Sequence, residues 1–141
     1  MTSFSKQVAA FQRKAESRFR AVARTAVQDT VEIAQRTVGE SGRMRIDTGF
    51  LRSSIQASLN SMPSGPTRPK KGSKKNDYAG RQVSGEPVSV TLLRWNPVKP
   101  FPLFIGWTAN YAQIRESKDG FMRGAAEVWD TTVANAARKI G

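Results

Sequence analysis

Residues 44–54 read Met-Arg-Ile-Asp-Thr-Gly-Phe-Leu-Arg-Ser-Ser, and they lie where a long helical pattern ends and a strand-like pattern begins. The Asp47 side chain can accept a hydrogen bond from a backbone N–H two residues on, and Gly49 can adopt a positive φ at no steric cost. A plain helix-to-strand turn with no further role is the simpler interpretation. The residues that we predict to fix this turn and to orient the helix against a sheet are Asp47, Thr48, Gly49, Leu51 and Arg52.

Residues 4–37 have the spacing of one long helix, because apolar side chains recur every three or four positions. We predict that Thr2 or Ser3 starts this helix and that Gly39 ends it. At 1.5 Å per residue the helix would span roughly 50 Å, which is long for a small domain. A break at residues 28–30, giving two shorter helices, is the alternative. Part of the apolar stripe should therefore face a neighbouring subunit, and the residues predicted to make such contacts are Phe4, Phe11 and Phe19.

The remaining apolar patterns predict a small sheet and a second helix. Residues 51–59 read as a half-buried strand, with a short helical turn at their start as an alternative. Residues 88–95 read as the best strand, and residues 103–107 are predicted to pair with them as a hairpin. A short helix or turn should follow in residues 108–117, and residues 121–140 should form a helix with Asp119 as its cap. The predicted fold class is α+β, a single domain over residues 1–141 in which the two terminal helices pack on a small antiparallel sheet.

Residues 60–86 have the composition of a long loop. The run from 60 to 77 holds three prolines, two glycines and four lysines, so we expect it to bury little apolar surface and to be mobile. A solvated, disordered loop is the simpler interpretation, and contact with DNA or with an acidic protein is the functional one. The candidate contact residues are Lys70, Lys71, Lys74 and Lys75.

Composition excludes several function classes. The chain has 141 residues, 38% of them hydrophobic, with no cysteine and no histidine. Thiolate and imidazole nucleophiles, disulfides and the common zinc sites are therefore excluded, and we predict a non-enzymatic protein without cofactor or metal. No apolar run approaches the roughly 20 residues of a membrane span. Because the N-terminus also lacks an apolar signal core, we expect a protein made in the cytoplasm.

The net charge of +12 is concentrated in the middle of the sequence. Residues 50–99 carry nine basic and two acidic side chains, so they contribute +7 of this total. Such an excess favours partners that are anionic, either nucleic acid or an acidic protein surface, and it says little about fold.

Two carboxylate pairs and three tryptophans are the remaining candidates for functional residues. Asp29 with Glu32, and Glu127 with Asp130, stand three positions apart on predicted helices. Because basic residues lie nearby, we expect these carboxylates to form ion pairs rather than to take part in acid–base or metal chemistry; the neighbours are Arg36, Arg123 and Lys139.

The tryptophans each lie in an apolar pattern, which favours core or interface positions over base stacking; they are Trp95, Trp107 and Trp129.

An ordered set of short motifs resembles one known family. Residues 45–54 contain the pattern D-T-G-x-L-R-x-S, which follows a long N-terminal helix in the lambdoid tail-component family, the small neck and tail-completion proteins of long-tailed bacteriophages and prophages. The later motifs of that family are similar to Tyr111-Ala112, to Glu116 and to residues 120–125, which read Gly-Phe-Met-Arg-Gly-Ala. One departure is that Ser-Lys-Asp follows Glu116 where a glycine-containing turn is usual.

The resemblance implies a virion structural protein of the head–tail interface. Proteins of this kind assemble as rings, commonly sixfold, between the head connector and the tail tube. Its expected partners are other copies of itself, the neighbouring neck, connector and tail-tube proteins, and the DNA in the channel, with no membrane. The rival hypothesis is a cytoplasmic module that binds nucleic acid without sequence specificity through the four lysines.

Overall fold

The computed structural model describes residues 3–141 and begins with helix α1, Ser3–Ala34. This helix is continuous, so the alternative of a break at residues 28–30 is wrong. Ser3 occupies its first turn, and Thr2 lies outside the described residues. The helix ends at Ala34 rather than at Gly39, because the polypeptide there folds back on itself: the Met44 N–H donates to the Arg36 carbonyl at 3.1 Å.

A short sheet follows the turn. Helix α2, Phe50–Ser53, precedes strand β1, Ile55–Ser58, so the helical turn considered for this segment is present and the strand is shorter than residues 51–59. β1 pairs with strand β2, Phe104–Trp107, in antiparallel register with Ile55 opposite Trp107. Among residues 3–141 these two strands make up the sheet.

The prediction of a strand at residues 88–95 was wrong, because Val88–Arg94 form helix α3. The buried side chains here are Val88, Thr91 and Leu92, which have helical spacing, whereas Leu93 is 70% exposed. β-branched residues favour strands only weakly, and packing of this face against α1 and β1 overrides that preference. The predicted hairpin with residues 103–107 was therefore also wrong, since β2 pairs with β1.

The C-terminal region comprises three helices. They are α4, Ala112–Asp119, α5, Phe121–Glu127, and α6, Trp129–Ile140, so the single helix predicted over residues 121–140 is interrupted at Val128.

The predicted cap of that helix, Asp119, has another role. Its carboxylate accepts hydrogen bonds from the Arg115 guanidinium at 2.7–3.0 Å and lies 3.4 Å from Nε of Arg45. Gly120 begins α5 with a φ of 65°, and the Glu116 carboxylate accepts the N–H groups of Met122 and Arg123 at 2.7 and 2.9 Å. Glu116 thereby satisfies two of the free N–H groups at the start of α5. The acidic residue of the motif is thus a helix cap.

The core lies on two sides of the C-terminal half of α1. Ala34 belongs to one buried cluster, with Phe50 and Phe121, and Val31 belongs to another, with Ile55 and Leu92. Within residues 3–141, every buried side-chain nitrogen or oxygen has a hydrogen-bond partner. The α+β fold class predicted from the sequence is confirmed, with a long N-terminal helix, a C-terminal helix and a small antiparallel sheet.

Glu86 should make the stability of this fold depend on pH. Its carboxylate accepts a hydrogen bond from the buried Thr91 hydroxyl at 2.6 Å and pairs with Arg94, and both contacts hold the pKa of Glu86 below its usual value of 4.5. A carboxyl whose folded-state pKa is lowered stabilises the fold above the unfolded pKa, and this contribution is lost as the pH falls. We expect Glu86→Gln to lower the melting temperature at pH 7 and to lose this difference as the pH falls below the usual glutamate pKa of 4.5.

The control is Glu32→Gln, at an exposed α1 position without an ion-pair partner among the described residues. A melting-temperature difference for Glu86→Gln that stayed constant over this pH range would contradict the assignment.

Candidate functional site

The centre of the structure is the segment 47–54, here called the hub. Within it the Thr48 hydroxyl accepts the Phe50 N–H at 3.2 Å, so Thr48 makes the two-residues-on bond that was expected of Asp47. Gly49 has a φ of 84°, as its place in the predicted turn requires. Leu51 is buried in the core, and Arg52 makes no hydrogen bond or ion pair with other described residues. The turn is therefore fixed by Thr48 and Gly49, and Arg52 is left for another role.

The hub holds the basic loop by backbone hydrogen bonds. The carbonyls of Asp47 and Thr48 accept the N–H groups of Asn76 and Tyr78, both at 2.8 Å, and the Phe50 and Tyr78 rings meet edge to face at 5.2 Å. Tyr78 is only 6% exposed, so the loop is fastened to the core at this residue. Tyr78 comes directly after residues 60–77, the run that was expected to bury little apolar surface.

The hub also holds the end of β2. The Ser54 carbonyl accepts the Thr108 N–H at 3.2 Å, and the Ser54 hydroxyl accepts the Ala109 N–H at the same distance. Ser54 is fully buried. Its role was missed from the sequence, although its place in the D-T-G-x-L-R-x-S pattern was a signal that could have found it.

The four lysines of the loop are displayed rather than buried. Tyr78 accepts the backbone N–H of Lys70 at 2.8 Å, a bond that lowers the pKa of the tyrosine, and Asp77 accepts the backbone N–H of Lys74 at 2.6 Å. These bonds leave the ammonium groups without a carboxylate within ion-pair distance in the described structure. The loop thus presents four exposed cations on a segment whose backbone is tied to the hub: Lys70, Lys71, Lys74 and Lys75.

Two cavities flank the hub. The larger, of about 840 Å³, lies between α1 and residues 76–82 and is lined by Arg52 and Arg81 together with several amide side chains. Its one acidic lining residue, Glu40, is already engaged by Thr37, and that contact lowers the pKa of Glu40. This cavity is therefore an open surface whose lining holds two arginines and one carboxylate.

The smaller cavity, of about 320 Å³, lies on the other side of the hub. Tyr111 lines it, and partial burial raises the pKa of this tyrosine. The nearby cations, Arg45 and Arg115, are both paired with Asp119. Because these cations are already paired with Asp119, we interpret the smaller cavity as a structural contact between the hub and α4.

The first half of α1 projects from the domain. Residues 3–19, here called the arm, are exposed at most positions, and buried side chains in α1 begin only at Ala26. The apolar stripe of the arm is uncovered, with Phe4 and Phe11 each 74% exposed and Phe19 54% exposed. The three phenylalanines proposed from the sequence therefore lie together on one unpartnered helix face.

The tryptophans occupy different environments. Trp107 is partly buried, meets Phe121 edge to face at 5.2 Å and donates its indole N–H to Gln35 at 3.2 Å. Trp95 packs at the edge of the second core cluster, whereas Trp129 is 41% exposed. Trp107 and Trp95 are thus core residues, and Trp129 is available for a contact outside the domain.

Among the described residues one carboxylate of each pair forms an ion pair, partly with other partners than predicted, whereas Glu32 and Asp130 form none. Asp29 pairs with Lys139 of α6 at 3.0 Å rather than with Arg36, so it joins the two terminal helices. Glu127 lies 3.9 Å from Arg123, as predicted, and 4.0 Å from Arg43.

Within residues 3–141, no cluster of carboxylates is arranged to hold a metal ion, and no helix is both long and apolar enough to cross a membrane. Comparison of the sequence and structure with protein-family models, with curated proteins and with solved structures gives no match. The candidate sites are therefore surfaces: the arm, the lysine-bearing loop and the cavity beside the hub.

Gly49→Ala should strongly destabilise the fold. The left-handed backbone conformation costs a non-glycine residue about 1–2 kcal/mol, and a Cβ here would also lie 3.1 Å from the Ala79 backbone nitrogen. We expect the free energy of unfolding, measured by urea titration, to fall by about 2–4 kcal/mol in total.

Gly72→Ala is the matched control, because Gly72 has the same φ of 84° but nothing within 4 Å of the added Cβ. It should show the backbone cost alone. Equal losses in the two variants would mean that the hub does not depend on the close approach of the loop.

Proposed function

We propose that this protein is a structural subunit of a phage head–tail interface, acting in a homo-oligomeric ring that joins the head connector to the tail tube. The resemblance of the hub and of the later motifs to the lambdoid tail-component family supports this proposal. The localisation that follows is the virion, after synthesis in the host cytoplasm, and no catalytic step is involved.

The observation that carries the proposal is the uncovered arm. Its phenylalanines expose a contiguous apolar face, which in a monomer would remain in water at a cost of roughly 25 cal/mol per Å². Exposed apolar patches of this kind mark interaction sites. A ring in which every arm packs on a neighbouring copy covers all such faces at once, because a closed symmetric assembly leaves no terminal subunit.

The fastening of the lysine-bearing loop is consistent with a place near a DNA channel. Its backbone is hydrogen-bonded to the hub, so the four ammonium groups are displayed at a defined position on each subunit. A ring would repeat this cationic segment around its axis. Phosphate groups of passing DNA, or an acidic face of the next neck protein, would complement it without sequence readout.

The proposal is tested by gene deletion and complementation in a lysogen that encodes the protein. Deletion should yield filled heads and separate tails, and plasmid-borne wild-type protein should restore joined particles. The variant carrying Phe4→Ser, Phe11→Ser and Phe19→Ser should restore at most about one particle in a hundred, as counted by plaque titre and by negative-stain microscopy, because it loses the apolar contact between subunits.

A matched variant replaces three exposed residues on the opposite face of the arm, with Lys6→Ser, Ala10→Ser and Arg13→Ser. It should complement like the wild type. Joined, infectious particles that lack the protein altogether, or that carry a single copy at the neck, would refute the proposal.

A second candidate function, binding of nucleic acid by the isolated protein, is favoured by one observation: the four loop lysines are exposed and unpaired within the described structure. Under this function the protein binds duplex DNA with an affinity that falls steeply with salt. Replacing the four lysines by Ser should reduce the slope of log K against log salt concentration by up to about 4, because each lost phosphate contact removes about 0.9.

The control removes four charges from the arm instead, through Lys6→Ser, Arg13→Ser, Lys14→Ser and Arg18→Ser. It should leave the salt slope unchanged if the loop is the DNA contact. Equal losses in both variants would show that the binding reflects net charge alone, and an unaltered affinity of the loop variant would exclude the loop.

A further inference from the structure

A second uncovered apolar surface lies at the other end of the domain. Residues 127–130 read Glu-Val-Trp-Asp and connect α5 to α6; they are here called the junction. Val128 is 42% exposed and Trp129 is 41% exposed, although both are large apolar side chains. The junction is therefore a second candidate for contact with another molecule.

The arm and the junction of one subunit cannot meet. The junction follows Ala125, which packs in the same buried cluster as Ala34 at the C-terminal end of α1, and Glu127 lies 4.0 Å from Arg43 just beyond that end. Phe4 lies about 45 Å from Ala34 along the axis of the helix, at about 1.5 Å per residue. A contact between the two surfaces can therefore form only between different copies of the protein.

The charges of the two surfaces are complementary. Residues 3–20, which are the arm and the residue after it, hold five basic side chains and one acidic side chain, Glu16. At about 100° per residue, Lys14 and Arg18 flank the apolar stripe on one side. At the junction, Glu127 and Asp130 bracket the two apolar side chains. Asp130 has no ion pair among the described residues, whereas Glu127 lies 3.9 Å from Arg123 and 4.0 Å from Arg43 and keeps 57% of its side chain exposed.

We propose that the arm of one subunit packs its phenylalanine stripe on the junction of the next subunit, with Lys14 and Arg18 facing Glu127 and Asp130. This inference rests on the proposed ring and names the surface that receives each arm. Pairing two arms side by side would bring like charges together, whereas the arm and the junction attract each other. Because the two surfaces differ and lie at opposite ends of the molecule, the contact is head-to-tail, the type that generates a ring when the rotation between successive copies closes.

Charge reversal in two separate variants tests this contact. The acidic-arm variant carries Lys14→Glu and Arg18→Glu, so that its arm and its junction both present negative charge at the contact. The basic-junction variant carries Glu127→Gln and Asp130→Lys, so that both of its surfaces present positive charge. We expect wild-type protein to self-associate in analytical ultracentrifugation at about 150 mM salt, and either variant alone to associate at least about tenfold more weakly, because like charges then face each other.

An equimolar mixture of the two variants should restore assembly, because two attractive contacts then become possible. In one, the acidic arm of the first variant packs on the basic junction of the second. In the other, the native basic arm of the second variant packs on the native acidic junction of the first. Assemblies in the mixture should contain the two variants in strict alternation, which native mass spectrometry reads directly. Lys6→Glu with Arg13→Glu, on the opposite face of the arm, is the control with the same charge change and should associate like wild type. Circular dichroism melts establish that each variant is folded.

Cross-linking provides an independent measurement, because the protein has no cysteine of its own. A variant with Ala15→Cys on the stripe and Thr131→Cys beside the junction should oxidise to a ladder of covalent oligomers, whereas either single cysteine should yield no more than dimers. A strong dimer from Ala15→Cys alone would indicate arm-to-arm pairing and overturn the inference.

The inference is also overturned if the wild type stays monomeric, if each charge-reversal variant associates like wild type, or if their mixture fails to assemble. None of these results decides whether the protein joins heads to tails, because deletion and complementation in the phage measure that separately. If the deletion and complementation results contradict a role in joining heads to tails while the arm-to-junction contact forms normally in solution, the proposed function is wrong and the inferred contact still holds.

Discussion

The constraint on which the rest of the structure depends is the close approach of three segments around the hub. Gly49 lets the loop backbone pass beside it, the carbonyls of Asp47 and Thr48 accept N–H groups of that loop, and Ser54 accepts two N–H groups at the end of β2. A buried backbone group without a partner is costly, so these bonds specify the arrangement as well as stabilising it. A sheet of only two strands needs such support, because a two-stranded sheet alone is marginally stable in water.

Sequence reasoning reached those parts of the fold in which local pattern and final packing agree. The stripe of α1 and the turn at Gly49 were predictable, because a period of about 3.6 and a positive φ leave a direct trace in residue type. The α3 segment was predicted to be a strand, because the alternation of Val88 and Val90 suits a strand. The residues that are buried have helical spacing instead, because this face packs against α1. Which helix covers which residues is a long-range fact that a local pattern does not contain.

The candidate site was predictable to a similar degree. The exposure of Phe4, Phe11 and Phe19 followed from a helix longer than its domain, and the display of the loop lysines followed from composition. The roles of Ser54 and Glu116 were not predictable from the sequence. In a sequence, a buried serine and a capping carboxylate look like ordinary polar residues. Their roles become visible only with their N–H partners, which lie far along the sequence for Ser54 and across a turn for Glu116. Arg52 was expected to brace the turn, and it lines a cavity instead.

A protein with a net charge of +12 has a physical obstacle to self-association, because copies repel one another over distances of about a Debye length. The distribution of its charge offers a way around this obstacle. The arm and the loop, residues 3–19 and 60–86, together carry +7 of this charge, whereas residues 100–141 hold five basic and four acidic side chains and are nearly neutral. A head-to-tail contact places the basic arm on this nearly neutral region, at a place where Glu127 and Asp130 supply local negative charge. The same arrangement leaves the loop lysines uncovered, so the association of subunits and the binding of an anion use different parts of the basic surface.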